Sequence, residues 1–257
     1  MDILVLSLAA FAVALLTFFS GFGLGTILTP VFMVFFSVDL AVALTGVVHF
    51  FNNLFKLVLV GGRADRQVLI RFGIPAVIAA FFGAWLLLQV SDLAPLFSYS
   101  IGGEAFEVYP MKLVIAVLLM GFAVMDLIPY FSNLAFGKAK LPIGGLLSGF
   151  FGGFSGNQGA LRSAFLVRVG LSKEAFVATT VVISTFVDFT RLSVYATRFA
   201  ASGLHDNLLL VGCATVSAIL GAYLGNRLLK KVTLRFIRIL VAVMLIVIAM
   251  ALGAGII

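Results

Sequence analysis

Charge and cysteine are what this sequence has least of. Lys, Arg, Asp and Glu supply 11% of its 257 residues, while 63% are hydrophobic. A soluble domain of this length would lack the polar side chains needed to cover its surface, so a soluble fold is excluded. The single cysteine, Cys213, excludes an intramolecular disulfide framework and any multi-cysteine metal site. The two histidines, His49 and His205, have no metal-ligand spacing with carboxylates. No nucleophile elbow and no phosphate-binding P-loop occurs, and the GFGLG at 21–25 lacks the βαβ surroundings of a dinucleotide site. The sequence therefore predicts neither an enzyme nor a bound cofactor. No Lys or Arg precedes the first apolar run, which lacks the basic region of a signal peptide and is expected to be mature helix over 3–19.

What is present is apolar sequence in long blocks. Residues 39–61, 68–90, 111–131, 174–198, 207–229 and 234–257 are each long enough to cross a bilayer as helix. Two further blocks, 3–36 and 142–169, are interrupted by glycine. In the first, the arm from Thr26 to Phe36 spans roughly 17 Å, too short for a hydrocarbon core of about 30 Å. In the second, glycines at 144, 145, 149, 152, 153, 156 and 159 weaken helix, and Asn157, Gln158 and Arg162 bring polar groups to the break. Irregular backbone at that depth is tolerated where protein or a wet cavity surrounds it, so 142–169 is expected to line a solute site.

The net charge of +7 does not indicate nucleic acid, because the basic residues cluster in short loops, as the positive-inside rule requires. Arg63, Arg66 and Arg71 place the 62–71 loop in the cytoplasm, as do Lys138 and Lys140, Lys173, and Lys230, Lys231, Arg235 and Arg238 for theirs. The 91–110 loop, with Asp92, Glu104 and Glu107 and no basic residue, faces out. Segment 142–169 then begins and ends inside, as a re-entrant hairpin, and 3–36 begins and ends outside. An internal repeat accompanies this: Thr45-Gly46-Val47-Val48 matches Thr179-Thr180-Val181-Val182, Gly25 matches Gly159, and Gly83-Ala84-Trp85 matches Gly221-Ala222-Tyr223. The expected fold is an all-α polytopic membrane protein of two inverted repeats, 1–134 and 135–257, each a glycine-broken hairpin followed by three spans. One kinked span at 142–169 would instead make the halves parallel.

Four polar constellations fall within these blocks. Asn157, Gln158 and Arg162 sit at the start of a broken arm, where unsatisfied N–H groups favour an anion; snorkelling of Arg162 to the surface is the bland alternative. Thr45, His49, Asn52, Asn53 and Lys56 recur in steps of three and four, sharing one helix face with donors suited to a small anion. Thr180, Ser184, Asp188, Arg191 and Tyr195 form the counterpart stripe, with Asp188 and Arg191 able to pair within the helix. That pair is either structural or a gating and coupling element. Asp126, ahead of Pro129, and Asn226 and Arg227 read as interfacial.

The elements SGFGLGTILTP at 20–30 and GGFSGNQGALRSAFL at 152–166, with the spans that follow from Ala41 and Ala175, resemble the TauE/SafE sulfite exporter family of bacterial permeases. The resemblance covers nearly the whole chain. It implies a secondary permease for sulfite, sulfoacetate or another organosulfonate in the bacterial inner membrane. Asn157-Gln158 stand where such proteins usually carry glycines, and Ala164 stands opposite Pro30 of the first half. On this basis Arg162, Asn157, Gln158, His49, Asn53, Lys56, Arg191 and Thr26 are expected to bind the anion, and Asp188, Asn52 and Ser184 to serve coupling or gating. The coupling ion (proton or sodium) and oligomeric state stay open. A passive anion channel and a small-carboxylate permease are the alternative functions.

Overall fold

A computed structural model describes residues 2–17, 24–91, 93–128, 136–166, 169–199, 207–228 and 234–256. The apolar blocks form helices α1 (Asp2–Thr17), α2 (Leu24–Met33) and α3 (Val38–Val60), then α4 (Arg66–Val90), which contains a π-helical turn at Leu69–Gly73. After a β-hairpin, β1 (Phe97–Ile101) and β2 (Glu104–Val108), come α5 (Pro110–Leu127), α6 (Leu141–Ser155), α7 (Gly159–Leu166), α8 (Lys173–Phe199), α9 (Leu208–Leu228) and α10 (Leu234–Gly253).

The described residues are mostly helical, as expected of an all-α membrane protein, with one addition: in the 91–110 loop, Phe97 to Ile101 pairs antiparallel with Glu104 to Val108. Gly102 and Gly103 take φ of +64° and +90°, the left-handed pair that a two-residue hairpin turn needs. Among the described residues, four helices are long and apolar enough to cross a membrane, at Val38–Arg63, Arg66–Val90, Lys173–Thr197 and Leu208–Gly225, and Pro110–Met125 and Ala242–Gly253 are shorter apolar stretches. The chain leaves α5 at Ile128, whose extended backbone (ψ 116°) stops the helix one residue before Pro129. The glycines at 21 and 23, Pro129, Lys230 and Lys231, and the side chains of Asp126, Asn226, Arg227, Arg235 and Arg238 lie outside the described residues.

The helices pack by bringing backbone to backbone. On α6, a Cβ added to Gly145, Gly149 or Gly153 would stand 2.2, 2.0 and 2.1 Å from the carbonyl oxygens of Phe72, Ala76 and Ala80 on α4. Gly83 reciprocates against the Phe150 carbonyl, and Gly221 of α9 meets the Phe11 carbonyl of α1 at 2.2 Å in the same sense. Without a hydrophobic drive between helices in lipid, such close approach at small residues is what holds spans together.

Segment 141–166 folds back on itself. Gly156, with φ +77°, ends α6 in the left-handed conformation typical of a helix stop. The ring of Phe165 then lies where a Gly144 side chain would be, 2.4 Å from that Cβ position, so the end of α7 is beside the start of α6. Phe72, Leu141, Phe165, Leu166 and Val169 share one core cluster there. The Asp65 N–H donates to Thr179 Oγ1 at 2.8 Å, so the loop after α3 lies at that same end, against the first turns of α8. At the β-hairpin, Tyr99 donates its hydroxyl proton to the Ala254 carbonyl beyond α10.

Candidate functional site

The interior is polar where the two interrupted segments meet. A Cβ on Gly25, in the first turn of α2, would stand 3.0 Å from the Gly156 carbonyl, so the second break touches the start of α2. Around this junction α3 and α8 present the two stripes read from the sequence, both turned inward: His49, Asn52, Asn53, Ser184, Asp188 and Arg191 are all at most 9% exposed.

Asp188 collects four donors. His49 Nδ1 lies 2.6 Å and Asn53 Nδ2 3.0 Å from Oδ2; Arg191 offers Nε at 3.0 Å and Nη2 at 2.8 Å to Oδ1. An ionised carboxylate has about four acceptor positions, so this one is filled. A carboxylate held by Arg191 accepts and does not donate, which puts the proton of the 2.6 Å contact on His49 Nδ1. Arg191 Nη1 also reaches the Gly152 carbonyl at 3.5 Å, and the Tyr195 hydroxyl donates to Gly153. Those carbonyls belong to the last turn of α6, where that of Gly152 also accepts the Gly156 N–H at 3.1 Å.

Arg162 occupies the other side of His49. It is 2% exposed, so it does not snorkel to the surface. Its Nη1 donates to Gln158 Oε1 at 3.0 Å and to Ser184 Oγ at 2.6 Å, and Ser148 Oγ donates to the Gln158 carbonyl at 2.9 Å. Between Arg162, Lys56, His49, Asn53 and Ser184 lies a cavity of about 30 Å³. That volume holds about two waters. Its described lining carries the cations Lys56 and Arg162, with hydroxyls from Thr17 and Thr180, and no Asp or Glu.

Of the residues singled out in the sequence, the structure brings His49, Asn53, Lys56, Arg162 and Ser184 to the cavity wall. Asp188 and Arg191 stand behind His49 and Asn53, and Gln158 contributes through Arg162. Thr26, Asn52 and Asn157 are buried but are not among the lining residues. Neither amide atom of Asn52 or of Asn157 has a hydrogen-bond partner among the described residues. Thr17 is a lining residue that the sequence reading passed over; its signal was its place at the end of the first apolar arm.

Long apolar helices around a buried, cation-lined cavity, with interrupted helices meeting beside it, define a membrane transport protein. The family described as Sulfite exporter TauE/SafE matches residues 6–252, and the chain belongs to that family. Membership implies a membrane exporter of sulfite or a related anion. No curated protein and no solved structure gives a significant match.

Proposed function

We propose that the protein is a secondary transporter of the bacterial inner membrane that exports a small sulfur-containing anion, sulfite or an organosulfonate such as sulfoacetate, by alternating access. The observation that carries this reading is the cavity wall: Lys56, Arg162, His49, Asn53 and Ser184 converge there with no described carboxylate among them. Sulfite and sulfonate oxygens need several N–H donors and positive charge, and these side chains supply both. Arg162 donates in two directions, to Gln158 and Ser184, so its guanidinium plane is fixed before an anion arrives.

The packing supports two structurally related halves, 1–134 and 135–257, and their inversion rests on the re-entrant reading of 142–169. Exchanging α1–α5 with α6–α10 turns the α1–α9 contact into α6–α4 and the α3–α9 contact into α8–α4. It leaves the pairs α3–α8 and α5–α10 unchanged, and each of these contacts is present. Asn53 and Asp188, near-equivalents in the repeat, meet across this axis at 3.0 Å. With α7 running back along α6, segment 142–169 is read as re-entrant from the cytoplasm, and the end bearing Arg63, Lys138 and Lys173 as cytoplasmic. An inside-negative potential then drives an anion outward by about 2.3 kcal/mol per charge per 100 mV.

The test is flux in proteoliposomes. Labelled sulfite or sulfoacetate should enter with saturation and be accelerated by unlabelled anion on the opposite side. Linear, unsaturable flux with no counterflow would overturn the carrier in favour of a channel.

A further inference from the structure

Asp188 leaves little room for a sodium ion. Sodium needs a shell of oxygen ligands with lone pairs to spare, yet both Asp188 oxygens are taken up by His49, Asn53 and Arg191. Asp188 is also the one buried acidic side chain among the described residues. A cation placed there would have to displace Arg191, which is fully buried beside it.

His49 is placed differently. Its Nδ1–H is committed to Asp188, which leaves Nε2 as the ring's acceptor. The ring lines the cavity, and its Cδ2 edge, adjacent to Nε2, faces Gly25 in the first turn of α2 at 3.8 Å from that residue's Cβ position. The charged groups around it are few. From α8 come Asp188 and Arg191; from α7, across the cavity, Arg162; from its own helix, Lys56. Helix α2 contains no titratable residue. With the cavity unfilled by anion, Lys56 and Arg162 oppose a further positive charge on His49. An anion seated between them reverses that, because its charge lies against the imidazole as well as the two cations.

We propose that His49 is the proton carrier of the transport cycle: it takes up one proton at Nε2 when the anion occupies the cavity and gives it up when the anion leaves. The coupling ion is thereby a proton and not sodium. The step balances without a co-reactant, since neutral imidazole becomes imidazolium and the proton comes from the aqueous phase that the site faces at that point of the alternating-access cycle. Asp188 holds the ring and carries the countercharge, and Asn53 fixes the second position on Oδ2. The proposal rests on the transport reading above, and the experiment separates the two.

Sulfoacetate is the first probe, because it stays ionised near neutral pH, and sulfite is the second. Exchange of labelled for unlabelled anion at equal concentration tests transport alone. No exchange with either anion would sink the transport reading and this proposal with it. Given exchange, net anion flux should respond to an imposed pH gradient, ignore replacement of sodium by potassium, and move one proton per anion as read by a lumenal pH dye. His49→Asn keeps a donor near the Nδ1 position but cannot titrate. Its flux is expected to fall, and the remaining flux should carry no proton and ignore the pH gradient. Purified wild-type protein in weakly buffered detergent gives an arm independent of any variant: adding sulfoacetate should draw protons from solution in proportion to anion bound. Proton movement persisting in His49→Asn, sodium-driven flux, or anion binding without proton uptake would each overturn the proposal.

Discussion

Arg162 donates from Nη1 to Ser184 Oγ at 2.6 Å and so joins the short arm α7 to the long helix α8. The same nitrogen reaches back to Gln158, one turn earlier on its own arm. The guanidinium is thus fixed from both sides of the cavity rather than extended from one.

Substitution at this pair separates charge from geometry. Arg162→Ala should abolish measurable flux. Arg162→Lys keeps the charge but loses the fork, and Ser184→Ala loses one charge-assisted bond. A hydrogen bond to a charged group contributes about 1.5–3 kcal/mol, so each of the latter should raise KM on the order of tenfold to hundredfold. Initial-rate flux in proteoliposomes measures this, and wild-type kinetics in Arg162→Ala would contradict the assigned role.

The Asp188–Arg191 pair predicts a stability effect that depends on how it is broken. Asp188→Asn alone leaves Arg191 buried without its counter-ion and should cost about 3–5 kcal/mol. Asp188→Asn combined with Arg191→Gln removes both charges and should recover much of the loss. Thermal unfolding in detergent, run as a double-mutant cycle at one scan rate, gives the coupling; additive losses would show that the two residues act separately.

Gly149→Ala tests the close contact between α6 and α4. A Cβ there would stand 2.0 Å from the Ala76 carbonyl, a backbone atom that cannot swing aside. Alanine favours helix over glycine by about 1 kcal/mol, but forced separation of packed helices costs about 1–3 kcal/mol. The expected net result is a lower Tm. Gly212→Ala, with open space around its Cβ position, is the control and should leave Tm unchanged or raised.

Sidedness can be read with cysteine labels after Cys213→Ser. Single cysteines at Ser172 and Lys138, both exposed, should react from the cytoplasmic face, and one at Glu104, in the exposed β-hairpin, from the opposite face. Labelling of position 172 and position 104 from one side would contradict the re-entrant reading of 142–169.

Much of this was legible in the sequence because lipid imposes blunt rules. Scarce charge identified the class, and steps of three and four put His49, Asn53 and Lys56 on one helix face. The Asp188–Arg191 pair was legible because residues three apart on a helix are neighbours. The bond from His49 to Asp188 was not, since 139 positions separate them and no local pattern reports which helices cross. Asn157 shows the same limit: its position in the break was evident, but not that it lies apart from the cavity wall. The β-hairpin was readable in Gly102-Gly103 between the alternating stretches FSYSI and EAFEV. Reading that loop for its charge alone passed over its pattern.

Between α4 and α6 there is almost no layer of side chains, since Gly145, Gly149, Gly153 and Gly83 set main chain directly on main chain. A joint of that kind has nothing to slide over and nothing to compress. A push on one helix reaches the other undiminished, so the two travel as a single beam. Bending is then left to the unwound residues after Ser155, where Gly156 already sits in a left-handed turn. Beyond that turn lies the eight-residue arm α7, whose Arg162 is tied to Ser184 of α8.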